Sequence, residues 1–137
     1  MGFFIKIYDS LGVFFHKYKI LLNSLFRFLF IKVYFIVIIF LNLMLWLGAY
    51  YMYKNISQDI TILHYNVDFG IDLIGHRNSF FMMPIFGLSF IIVNKIVLLF
   101  LTKRDDFKFL AHFLLALLLF LNILLLLSLY ALYLINF

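Results

Sequence analysis

Apolar side chains in this chain do not alternate with polar ones but gather into three long stretches, 33–53, 80–101 and 109–135. The shortest holds 21 residues. As a helix rising about 1.5 Å per residue it reaches about 32 Å, enough to cross a hydrocarbon core of about 30 Å. Each stretch therefore predicts a transmembrane helix. The segment before them is patterned differently. On a helical wheel Lys6, Asp9, Ser10, His16, Lys17, Lys19, Asn23, Ser24 and Arg27 share about half the circle, while Phe3, Phe4, Ile7, Leu11, Phe14, Phe15, Tyr18, Leu21, Leu22 and Leu25 form most of the other half. This is a basic amphipathic helix suited to lying in the membrane interface, with its cations among anionic head groups. Between the first two spans, His64-Tyr65-Asn66-Val67-Asp68-Phe69 alternates polar and apolar and reads as one short extended segment. The expected fold is an all-α membrane protein. It comprises an interfacial helix within 1–32 and a three-helix transmembrane domain over 33–137, whose external loop spans 54–79.

Composition agrees with that pattern. A chain of 137 residues that is 67% hydrophobic, with mean hydropathy +1.14 and 12% charged residues, has too much apolar surface for one small soluble globule. Its net charge of +5 lies beside the apolar spans and so reports topology rather than nucleic-acid binding. Lys6, Lys17, Lys19, Arg27 and Lys32 precede the first span against the single acid Asp9, and Lys103, Arg104 and Lys108 lie between the second and third. The 54–79 loop holds Lys54 and Arg77 with Asp59, Asp68 and Asp72. The positive-inside rule then places the N-terminus in the cytoplasm and the long loop and C-terminus outside. A bacterial inner membrane fits, with an organellar inner membrane as the alternative. Trp46, Tyr50, Tyr51, Tyr53, Tyr130 and Tyr133 fall near the outer ends of their spans, as an aromatic belt does. The absence of cysteine removes disulfides, thiolate catalysis and zinc–thiolate sites. Abundant Phe, Tyr, Asn and Lys match A+T-rich coding, so no single phenylalanine is given a role.

A few polar residues interrupt the spans. Asn42 and Asn122 lie near the bilayer midplane and are placed to bond each other. With Asn94 they are the expected polar helix–helix contacts, because an amide in hydrocarbon needs a partner. Ala49, Gly87, Ala111, His112 and Ala116 extend these smaller, more polar faces, and Lys95 is read as snorkelling to the interface. In the loop, His64, Asp68, Asp72 and His76 are candidates for a divalent metal or a polar head group, although their spacing matches no closed zinc or calcium motif. No catalytic residue and no cofactor is assigned.

The segment 63–75, read with the 84–87 start of the second span and the charged turn at 103–106, resembles small uncharacterised three-span membrane proteins of reduced-genome candidate-phylum bacteria. Those carry a similar "LHYN, FGIDLIG" loop; the likeness covers about residues 42–135 and departs at Asp68 and at 76–78. A fainter likeness is to toxin-immunity membrane proteins. Neither implies an activity. The expected role is that of a non-catalytic subunit or accessory factor of a membrane assembly, with the bilayer and other membrane subunits or further copies as partners. The alternatives are an oligomeric transporter or channel component lined by Asn42, Asn94, Lys95 and Asn122, and a toxin-immunity-like or metal- or head-group-binding membrane protein centred on the loop.

Overall fold

The computed structural model describes residues 2–57, 59–66, 68 and 70–137, and for residues 2–10, 14, 65, 66 and 72 only the backbone. Helix α1 is Gly2–Leu25 and α2 is Leu29–Asn55; strands β1, Ile60–Asn66, and β2, Gly70–His76, follow. A 3-10 turn, Arg77–Phe81, leads into α3, Met82–Leu101, and α4, Phe107–Asn136, completes the chain. Three helices, α2, α4 and the continuous 77–101 segment, are long and apolar enough to cross a membrane.

The first span begins earlier than hydropathy alone places it. The chain breaks between α1 and α2 at residues 26–28, so Lys32 lies inside α2. Leu-Phe-Ile-Lys at 29–32 contains no helix breaker. The bend is made instead by two rings that leave the helix path to pack, Phe26 on Phe35 at 5.7 Å and Phe28 on Phe107 at 5.5 Å.

Buried positions in α2 are Ile31, Phe35, Ile38, Asn42, Leu45, Ala49 and Met52, steps of three and four that make one seam along the helix. Pro84, Gly87, Ile91 and Leu98 continue such a seam in α3, and Ala111, Leu115, Leu118, Asn122, Leu129 and Leu132 do so in α4. This spacing is that of helices packed at a shallow left-handed angle. His112 and Ala116, expected on the inner face of the third span, are exposed, because neither falls on that seam. His112 instead stacks on Phe30, ring centres 4.0 Å apart.

The core has two apolar layers with an amide layer between them. At the end where α2 begins, Phe35, Ile38, Ile91, Leu98, Leu115 and Leu118 pack together; at the other end, Leu45, Ala49, Met52, Phe80, Leu129 and Leu132 do. Between them Asn42 Nδ2 donates to the Pro84 carbonyl at 3.1 Å, joining α2 to α3. Asn122 donates along its own helix to the Leu118 carbonyl at 3.0 Å, rather than to Asn42 as the sequence suggests. Both amides lie against Gly87. A side-chain carbon there would collide with Asn42 Nδ2 and stand 3.1 Å from Asn122 Oδ1. Further toward the first end, Asn94 Nδ2 donates to the Leu114 carbonyl at 3.2 Å, joining α3 to α4.

Helix α1 docks through its last turns, where Leu25 is fully buried and Tyr18, Leu21 and Leu22 pack on the first apolar layer. His16, Lys17, Lys19, Asn23 and Ser24 are exposed, and so are Leu11, Val13, Phe15 and Ile20. The expected positions Phe3, Phe4, Lys6, Ile7, Asp9, Ser10 and Phe14 have side chains outside the described residues. At the same end of the bundle, the turn between α3 and α4 is pinned by Arg104, which donates to both carboxylate oxygens of Asp106 at 2.8 and 3.0 Å. Those hydrogen bonds, together with the guanidinium charge, hold the Asp106 carboxyl below its usual range.

Replacing Gly87 with Leu is expected to force α3 away from the two amides and destabilise the bundle by about 1–3 kcal/mol, and Asn42→Leu by about 0.5–2 kcal/mol. Reversible unfolding in mixed micelles measures both, and a Gly87→Leu protein as stable as the wild type would refute the close approach. At the turn, the folded-state value of Asp106 lies below the unfolded one. The pair therefore contributes above the ordinary carboxylate range, about 3.9, and is lost as pH falls through the depressed value. In Arg104→Gln, Asp106 should titrate at higher pH than in the wild type when followed by carboxyl NMR; an unmoved titration would show that Arg104 does not set it.

Candidate functional site: the hairpin at the far end of the bundle

The least apolar part of the chain folds into a two-stranded antiparallel hairpin where the sequence suggested a single extended segment. Strand β1 carries Ile60, Thr61 and Ile62 and β2 carries Ile71 and Ile74, β-branched residues that favour strands, and the ladder runs from Ile60 opposite His76 to Asn66 opposite Gly70. Gly70 has φ +77°, a left-handed conformation that glycine adopts without cost and that turns the chain back. The alternation therefore stops at Asn66, and Asp68 belongs to the turn. Val67 and Phe69 are outside the described residues.

Pairing is shifted twice. Ile62 faces Ile74 but His64 faces Leu73, which leaves Leu63 as an extra residue on β1; Tyr65 then faces Ile71, which leaves Asp72 as an extra residue on β2. A bulge of this kind re-aims a side chain. Leu63 packs onto the second apolar layer, against Gly75.

Further contacts fix the hairpin to the bundle and close its base. The Asn136 amide, in the last turn of α4, accepts from the Ile62 N–H at 2.9 Å and donates to the Ile62 carbonyl at 2.8 Å. One side chain thus satisfies both backbone groups of Ile62, as a neighbouring strand would. At the base, the Arg77 N–H donates to the Asp59 carbonyl at 3.3 Å and its guanidinium lies 4.8 Å from the Tyr53 ring centre. Phe80 is fully buried beneath. The expected belt residues cluster around this end: Trp46 and Tyr53 pack on Phe81, while Tyr51 and Tyr130 pack on Tyr133.

The candidate ligands spread over the hairpin. His76 is at its base and His64 four residues up β1, about 13 Å along the ladder at about 3.3 Å per residue. Asp68 is at the turn, and the side chain of Asp72 is outside the described residues. Among the described residues no three His, Cys, Asp or Glu side chains gather where one metal ion could join them. The candidate pathway residues are also dispersed. Asn42 and Asn122 are sealed in the core at 5% and 0% exposure, and Asn94 and Lys95 open onto different crevices.

Beside the exposed His64, Asp68 and His76, the hairpin presents four large apolar side chains outward. Ile60, Ile71, Leu73 and Ile74 are 53–60% exposed, and among the described residues the far edge of β2 has no strand beside it. Asn136 is the residue that sequence reasoning missed; its one signal is an amide placed directly after the apolar run of the third span. Comparison with protein-family models, with curated proteins and with solved structures returned no match.

Asn136→Leu should release β1 while leaving the three helices assembled. The expected result is at least about tenfold faster hydrogen exchange at the Ile62 amide, the factor for about 1.4 kcal/mol, within the range for losing a buried partner. Unchanged protection at Ile62 would show that Asn136 does not hold the strand.

Proposed function

We propose that this chain is a small integral protein of the bacterial inner membrane, a non-catalytic subunit or accessory factor of a larger membrane assembly, with the hairpin as its contact surface. The observation that carries this reading is a hairpin fixed firmly to the bundle that still exposes Ile60, Ile71, Leu73 and Ile74 beside an unpaired strand edge. Apolar side chains next to an open edge favour contact with another chain, through strand addition or apolar packing. The bundle makes no use of those four residues in its own core. The charge bias supports the orientation: Lys17, Lys19, Arg27, Lys103 and Arg104 lie at the end opposite the hairpin, which favours a cytoplasmic basic end with the hairpin outside. An organellar inner membrane would keep the same arrangement. The likeness of the 63–75 segment to small uncharacterised bacterial membrane proteins is consistent with this reading and adds no activity to it.

Two measurements test it. A photo-crosslinking amino acid at Leu73 should yield an adduct heavier than the monomer in native membranes, whereas one at the outward-facing Phe113 should not; monomer alone from both positions would sink the reading. Ser57→Cys and Thr102→Cys should react with an impermeant thiol reagent from opposite sides of sealed vesicles, and labelling from one side would overturn the topology.

A further inference from the structure

A crevice of about 480 Å³ runs between α2 and α3 on the outer surface of the bundle, in its basic half. Its walls are apolar, with Ile36 and Ile39 from α2 and Ile91 and Ile92 from α3, and its two polar groups are Lys32 and Lys95. Lys32 is in the first turn of α2, and Ile39 lies seven residues deeper along the same helix, about 10 Å. The crevice is therefore cationic near the end of the bundle and greasy below.

Lys95 is the unusual member. It lies six residues before the end of α3, about 9 Å inside the span. Ile91 and Ile92 lie four and three residues deeper along the same helix, so Lys95 stands above the apolar part of the crevice. Among the described residues neither Lys32 nor Lys95 has an ion pair with a carboxylate. Two ammonium groups above an apolar slot, both without an anion, match one kind of occupant.

We propose that this crevice is a specific site for one anionic phospholipid, whose phosphate lies between Lys32 and Lys95 while an acyl chain follows the isoleucine-lined slot. Charge complementarity selects the head group, and basic pockets between membrane helices are built to hold such lipids. The inference rests on the membrane-spanning reading but not on the hairpin contact, so failure of either leaves the other standing.

The test uses the full chain in nanodiscs of equal phosphatidylglycerol and phosphatidylcholine, released for native mass spectrometry, with retained lipid counted. One phosphatidylglycerol should remain bound in preference to phosphatidylcholine. Lys32→Gln and Lys95→Gln should each lower that preference about fivefold, while Lys103→Gln, outside the crevice, should not. Ile92→Trp, which fills the slot and leaves both lysines, should also reduce retention. Equal retention of the two lipids would overturn the proposal. So would an effect of Lys103→Gln as large as that of Lys95→Gln, since it would mean diffuse attraction to the basic end, and so would undiminished binding in Ile92→Trp.

Discussion

Helices dissolved in hydrocarbon gain nothing by hiding apolar side chains from lipid, so what joins α2, α3 and α4 has to be close packing and polar contact. Both are concentrated at Gly87. The absent side chain lets α3 come against Asn42 and Asn122, and the Asn42 amide then reaches the Pro84 carbonyl across the gap. The leucines and isoleucines of the two apolar layers would interdigitate about as well after a one-turn slide. The amide layer would not, because an unpartnered amide in hydrocarbon is costly. Register is thus set by a few atoms at mid-bundle, and the hairpin, the basic end and the crevice are all positioned by it.

The arrangement leaves some polarity unspent. Asn94 Oδ1 and Asn122 Oδ1 are buried without a hydrogen-bond partner among the described residues, although the nitrogen of each amide is bonded. Asn122 Oδ1 lies against the bare backbone of Gly87. The donors that depend on this packing are those of Asn42 and Asn94, which reach across to carbonyls of neighbouring helices.

The existence of three spans was legible because 20 or more apolar residues in a row have one efficient resting place. Which side of each span faces inward was legible only in part. Lipid and core both accept Leu, Ile and Phe, so the seam through Ile31, Phe35, Ile38, Leu45 and Met52 leaves no hydropathy signal. It surfaces only where a small or polar residue breaks the monotony, at Asn42, Ala49, Gly87, Ala111 and Asn122. The bend before Leu29 escaped notice for a related reason: aromatic packing makes it, with no Gly or Pro to announce it. In the loop, Gly70 marked the break in alternation, but pairing of the two halves into a hairpin depends on a partner strand that periodicity in one segment does not reveal. Asn136 was least legible of all, since its role exists only once α4 ends beside β1.

That last contact ties the hairpin to a particular rotational phase of α4. The hydrogen bonds from α4 to β1 converge on the single residue Ile62 and come from one amide that occupies one azimuth of a helix. Rotating α4 by one residue turns its surface through about 100° and swings that amide off the strand. A tilt of α4 would keep that clasp closed, while a twist would open it and leave the hairpin held by Leu63 and by Arg77 on Tyr53.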